Sequence, residues 1–416
     1  MTRDDALALD AADALAALRE QFELPPGLIY LDGNSLGALP RATAARVQQV
    51  LRDEWGRDLI RSWNSAGWID LPQRVGDKIA RLVGAGAGEL VVADSTSVNL
   101  FKVLGAALAI AQEADARRRV IVSERSNFPT DLYIAESLAA QRGGELRLAD
   151  TPAQIPALLG ADTAVLMLTQ VNYRSGRLHD MAALSHAAHA AGALAVWDLA
   201  HSAGALPVAL HRDGADMAVG CGYKYLNGGP GAPAFVWVHP RHAERFWQPL
   251  TGWMGHAAPF EFTPGYRPAP GIARYLCGTP PVLSMAALEC GVDTVLAAEP
   301  CGGMAALRAK SLALTRLFAD EVQARCPQLA LVSPAEDALR GSQVCFAHAE
   351  LGYPVIQALI ARGVIGDFRA PDVLRFGFTP LYLRHVDAWD AAVHLQQVLA
   401  SGEWRRPGFG RRHAVT

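Results

Sequence analysis

Lysine is scarce in this chain. Of 38 basic residues only four are lysines: Lys78, Lys102, Lys224 and Lys310. Charge of either sign is modest too. Charged residues make up 19% of the chain and the net charge is −3, so no basic stripe offers a footprint for nucleic acid or an anionic membrane. No apolar run approaches the roughly 20 residues that a membrane-spanning helix needs. The cysteines are Cys221, Cys277, Cys290, Cys301, Cys326 and Cys345; none form a CxxC pair, and no His/Cys group has metal-ligand spacing. They read as buried thiols of a reducing compartment, with no metal centre expected. The opening run MTRDDALALDAADALAALREQF is acidic and amphipathic, unlike a secretory signal, and a cytoplasmic protein is expected.

The chain has 416 residues, half of them apolar, which is enough for a large domain with a smaller partner. A helix is expected over 4–22 and another over 41–55. The segment RSWNSAGWIDLP (61–72) reads as a loop with two tryptophans. From residue 89 short apolar runs alternate with helical stretches. The runs are ELVVAD, RVIVSE, ELRLAD, TAVLMLTQ, ALAVWD, MAVGC and APAFVWV. Such alternation predicts an α/β fold with a mostly parallel sheet between helices. The last run follows a tight loop, which allows one antiparallel pairing. Residues 250–281, rich in Pro, Gly and aromatics, break the pattern and read as a long functional or interface loop. Helices at 282–298 and 302–325 lead to strands near 328–332, 342–348 and 373–377, with helices at 353–361 and 385–400. The basic tail after residue 401 is expected to be loose. The expected division is an N-terminal segment (1–40), a large domain (41–298) and a smaller α+β domain (299–416).

Lys78 and Lys310 read as wet faces of amphipathic helices, and Lys102 lies on a helix with mixed faces. Lys224 differs. It follows the apolar run Met217–Cys221 and precedes the loop NGGPGAP, so it ends a buried strand, where open α/β sheets bind ligands. An amine there can form a Schiff base with an aldehyde cofactor such as pyridoxal phosphate. That cofactor needs an acid for its ring nitrogen, a phosphate cup and a partner for its ring face. Asp198 ends the run GALAVWD. Ser95, Thr96 and Ser97 stand where the strand ELVV meets a helix, whose N–H groups and dipole favour an anion. Phe128, in Phe128-Pro129-Thr130-Asp131, follows RVIVSE and can stack on a planar ring. Thr169 ends TAVLMLT.

The segments GNSLG (33–37), STSVN (95–99), FPTD (128–131), NYRSG (172–176), DLAHSAG (198–204), GCGYKYLNGGPG (220–231) and APDVLRFGFTPLY (370–382) resemble the kynureninase family. The resemblance runs from about residue 28 to 400. It implies the fold-type-I architecture of pyridoxal phosphate enzymes and hydrolytic Cβ–Cγ cleavage of kynurenine or 3-hydroxykynurenine in tryptophan breakdown. By the same resemblance, Lys224 is the cofactor-binding lysine, Asp198 the pyridinium partner, and His201 a neighbour of the cofactor. Phe128 and the Pro129, Thr130 and Asp131 that follow it, with Thr96, Ser97, Thr169 and Tyr223, match cofactor-contacting positions. Trp253 and Thr279 match positions that reach the phosphate from the other subunit of a homodimer, and Arg375 the arginine for the substrate carboxylate. Tyr223 is the candidate for proton transfer at the γ-carbonyl, and Trp63 and Trp68 are candidates to face the substrate ring. Position 96 is Thr where some members carry an aliphatic residue, and 279 is Thr where others carry Asn. Two rivals stand beside this reading. One is a cysteine desulfurase or selenocysteine lyase of the same fold, with Cys345 as nucleophile; the other is a non-catalytic relative.

Overall fold

The computed structural model describes residues 1–245, 248–348 and 352–412. All seven apolar runs form strands of one sheet. From edge to edge they are Leu90–Ala93, Ala234–Val238, Met217–Gly220, Leu194–Asp198, Thr163–Thr169, Val120–Glu124 and Glu145–Ala149. Ala234–Val238 runs antiparallel to both neighbours, and the other pairings are parallel. The central strands are buried on both faces; every residue of Thr163–Thr169 is buried. That is why they appear as continuous apolar runs rather than alternating ones.

Alternate strand residues feed two cores, as the two-residue period of a strand requires. Val91, Val165, Met167 and Val196 join a core with the helices Thr96–Ala114 and Pro129–Gln141. Leu90, Val92, Leu166, Leu168 and Trp197 face the other way, against Leu71–Val83 and Met181–Ala190.

A second, antiparallel sheet runs Ala330–Leu331, Gln343–Ala347, Val373–Gly377, Asp367–Arg369. Helices Gly303–Arg325, Gly352–Ala361 and His385–Ser401 accompany it. Phe318 packs there against Phe346, Phe376 and Phe378, with ring centroids 4.9–6.3 Å apart. The segment around residue 30 ties the two sheets together. Ile29–Tyr30 pairs with Val364–Ile365, Asp32 bridges to Gly377, and the Gly37 N–H donates to the Tyr223 carbonyl at 2.8 Å.

Several expectations are corrected. The first helix stops at Ala11, and a 3-10 turn follows at Ala16–Gln21. Between them the Asp13 carboxylate accepts the Leu15 N–H at 2.9 Å, a local bond that competes with the helix. Arg41–Gln49 is α-helical, but the turn continues as a π-helix to Asp58. Residues 61–72 are not a loop throughout: Ser62–Ser65 is helical, and Leu71 opens a helix with Pro72 in its first turn. Lys310 is not a wet-face residue; it is buried and pairs with Asp13 at 2.7 Å. Lys78 bridges to Glu289 at 3.1 Å and Asp293 at 2.7 Å, joining two helices. Cys301 is exposed, and Cys277 and Cys290 are half-buried. The tail is ordered in two 3-10 turns through Gly410, with Trp404 buried; 413–416 lie outside the described residues.

Candidate active site

The strand ends that sequence singled out converge on one cavity. It lies at the carboxyl edge of the large sheet, lined by Ser95, Thr96, Ser97, Phe128, Asp131, Thr169, Tyr173, Asp198, Ala200, His201, Tyr223 and Lys224. This is the edge where α/β folds place ligands. The Lys224 ammonium donates to His201 Nε2 at 3.0 Å and lies 5.6 Å from the Tyr223 ring centroid. His201 is buried, and that burial, followed by the nearby Lys224 charge, pushes its imidazole well below the usual range. It therefore meets Lys224 as a neutral acceptor.

Two carboxyl groups lie opposite, Asp131 and Asp198, both buried. Burial, and then the charge of Asp198, drives Asp131 well above the carboxylate range. Burial raises Asp198 as well, against the pull of Lys224, the Ala200 N–H and Asp131. The Ala200 N–H reaches Asp198 Oδ1 at 2.7 Å. The two groups act as a coupled pair in which Asp131 keeps the proton and donates to Asp198. The Thr169 hydroxyl donates to Asn127 and lies 3.3 Å from Asp131 Oδ2.

At the other end stands the N-terminus of Thr96–Ala114. Ser95 is the cap, its hydroxyl accepting the Val98 N–H at 3.3 Å, while Thr96 and Ser97 occupy the first helical positions and line the cavity. Phe128 packs edge-to-face on Tyr173 at 5.3 Å. Pro129 and Thr130 open the helix behind Phe128 and do not line the cavity. Burial, then the Cys221 and Asp198 charges, push the Tyr223 phenol up, so it enters as a proton donor.

Five expected residues lie elsewhere: Arg375, Trp253, Thr279, and the ring-facing candidates Trp63 and Trp68. The Arg375 guanidinium, fully buried, pairs with Asp367, donates to Ser35 Oγ at 2.7 Å and donates to the Tyr173 carbonyl at 2.9 Å. It thus backs the cavity through Tyr173. Trp253 packs on Trp63 at 5.7 Å and Phe260 at 5.9 Å, in a surface hollow outside the Lys224 cavity. Thr279 lines another hollow with Trp55 and Trp68. Trp68 donates to Glu54 at 2.7 Å. Sequence reasoning did not assign Tyr173 or Asn127, although both sit within or beside quoted motifs.

A family model described as the kynureninase C-terminal domain matches residues 307–395. The kynureninase of Pseudomonas fluorescens is 58% identical over 419 residues, covering all of both chains. That of Burkholderia pseudomallei is likewise 58% identical over full length. The chain belongs to the kynureninase family. Kynureninases are hydrolases of a carbon–carbon bond that depend on pyridoxal phosphate. Among solved structures, a cysteine desulfurase from Thermococcus onnurineus NA1 superposes with a TM-score of 0.78 at 18% identity, over 92% of this chain and 98% of that one. The Escherichia coli cysteine desulfurase CsdA gives 0.74 at 21%, over 93% and 98%. These likenesses identify the fold, that of the fold-type-I pyridoxal phosphate enzymes.

The cavity's residues fit pyridoxal phosphate. Asp198 is buried, with Lys224 and the Asp131 carboxyl opposing the rise that burial causes, and suits a protonated ring nitrogen. The helix terminus suits the phosphate. Lys224 lines the same cavity and suits the aldehyde carbon.

Proposed function

We propose that this cavity binds pyridoxal phosphate and cleaves the Cβ–Cγ bond of kynurenine, giving anthranilate and alanine. The observation that carries the reading is the single cavity gathering Lys224, Asp198, Asp131, Phe128, Thr96 and Ser97. When bound, the cofactor supplies an electron sink for the substrate's α-carbon. Asp198 would face the ring nitrogen and Phe128 would offer its ring face to the cofactor. Ser95, Thr96 and Ser97 would hold the phosphate at the helix terminus. Lys224 would hold the aldehyde carbon and carry the substrate's α-proton. Its partner His201 lies 3.0 Å from the Lys224 amine and orients it. Water adds to the γ-carbonyl, and Tyr223, a phenol kept protonated by burial, donates to the developing oxyanion. The Cβ–Cγ bond then breaks, the aryl carbonyl leaves as the acid, and Cβ takes a proton. Arg375, which backs the cavity through the Tyr173 carbonyl, is assigned to the substrate's α-carboxylate on the family resemblance alone.

The desulfurase reading loses support at Cys345. This thiol is buried in a strand register opposite Arg375, and burial pushes it up to about 11. A nucleophilic cysteine needs the opposite environment.

The working unit is a cytoplasmic homodimer. The support is an apolar surface: Ile60, Phe260 and Phe262 are 75%, 63% and 78% exposed and line a hollow of ≈ 670 Å³ with Trp63 and Trp253. A second copy would cover it and bring Trp253 and Thr279 to its own cavity. Among the described residues no helix is long and apolar enough to cross a membrane.

The test is a spectrum of the purified protein, then addition of kynurenine while anthranilate fluorescence is followed. A visible cofactor band with growing fluorescence is expected. A band without anthranilate would leave the cofactor but refute the reaction.

A further inference from the structure

Lys102 is fully buried and has no part in the chemistry above. It sits on the helix that opens at Thr96, and its ammonium reaches back to the helix start. There it pairs with Asp94, donates to the Tyr275 carbonyl at 2.7 Å and lies 3.4 Å from Asn99 Oδ1. The Asn99 side chain in turn donates to the Ala93 carbonyl at 2.8 Å. Asp94 is the one residue between the strand Leu90–Ala93 and the cap Ser95, and its φ is +49°. Aspartate tolerates that left-handed conformation better than most residues, and the ion pair holds it there. Tyr275 closes a turn in the segment between Trp253 and Thr279, so the same ammonium ties that segment to the helix start.

An ionised carboxylate two residues before Thr96 would oppose a phosphate at that terminus. The helix dipole offers only about half a charge in its favour. We infer that Lys102 is a positioning residue for the cofactor phosphate: it neutralises Asp94 at the turn that opens the phosphate-binding helix. The inference rests on the phosphate lying at Ser95–Ser97, as proposed above.

The full-length protein, stripped of cofactor, is titrated with pyridoxal phosphate and with pyridoxal while visible absorption is followed. Lys102→Met is expected to weaken pyridoxal phosphate about tenfold or more, from loss of one nearby charge, and to leave pyridoxal unchanged. Asp94→Asn is expected to bind pyridoxal phosphate at least as tightly as the unaltered chain. The double variant, with neither charge, is expected to recover most of the loss. Undiminished phosphate affinity in Lys102→Met overturns the inference. So does an equal loss for both ligands, or a double variant as weak as the single one, because packing alone would give those results. If Lys102→Met does not fold, Asp94→Asn decides, and weaker binding there is fatal. A wild-type chain that binds neither ligand refutes the cofactor reading itself, a result separate from all the others.

Discussion

Asp32 is a carboxyl group whose ionisation the fold opposes. Burial, then the charge of Asp367, raises it to about 7, although Ser35, Arg375 and Arg369 pull the other way. A carboxyl raised in the folded state stabilises most when protonated. Its contribution is complete below the unfolded value of about 4 and is lost as pH rises through about 7. Asp32→Asn removes that loss. The variant should therefore melt higher than the unaltered chain at pH 8, by roughly 1–3 kcal/mol in stability, and show no gain at pH 4. A gain that is the same at both pH values would contradict this. Tyr223 calls for a kinetic test. Tyr223→Phe keeps the ring but removes the proton donor, so kcat for kynurenine should fall by about 10²–10⁴. Cofactor affinity should change far less. Lys224→Ala should lose the visible absorption of the lysine-bound cofactor altogether.

The elements that carry these residues leave little room for error. Helix Val282–Leu296 presses Gly291 against the loop that follows Lys224. A Cβ on Gly291 would lie 2.3 Å from the Leu226 carbonyl and 2.5 Å from that of Asn227. From the other side, a Cβ on Gly37 would lie 2.5 Å from the Lys224 carbonyl. Gly291→Ala should cost roughly 1–3 kcal/mol and lower kcat by moving the lysine loop, whereas Cys290→Ala, half-buried one position away, should cost less. Thermal melts and rates on the two variants check this. The close approach sets GNSLG against YKYLNGGPG, a contact the sequence does not display. Six of the seven strands were legible because burial on both faces writes them as apolar runs; Glu145–Ala149, at the edge, is only partly buried. Lys224 and Asp198 were legible because each ends such a run. The partner of Lys310 was not: Asp13 is remote in the chain. The first helix broke where an aspartate side chain competed for a backbone N–H. The helix at Leu71 began inside a tryptophan-rich stretch whose one start signal was Pro72.

At the scale of the whole molecule, one chain supplies Lys224 in one place and Trp253 and Thr279 in others. If Trp253 serves the cavity of a second copy, two defects on different chains can complement each other. Lys224→Ala and Trp253→Ala should each be nearly inactive as homodimers. Mixed and allowed to exchange subunits, half the dimers carry both chains. Each mixed dimer has one cavity with both defects and one with neither. Activity should then return to about a quarter of the wild-type value per dimer. A Trp253 that serves its own chain's cavity would give no recovery, because every cavity would keep one defect. Phe262→Asp gives the physical control. It puts a charge into the apolar hollow that the second copy should cover, so it should shift the protein toward monomer in sedimentation and abolish the recovery, since unassociated chains cannot exchange residues. Dimers that persist with Phe262→Asp, and still complement, would place the subunit contact on another face.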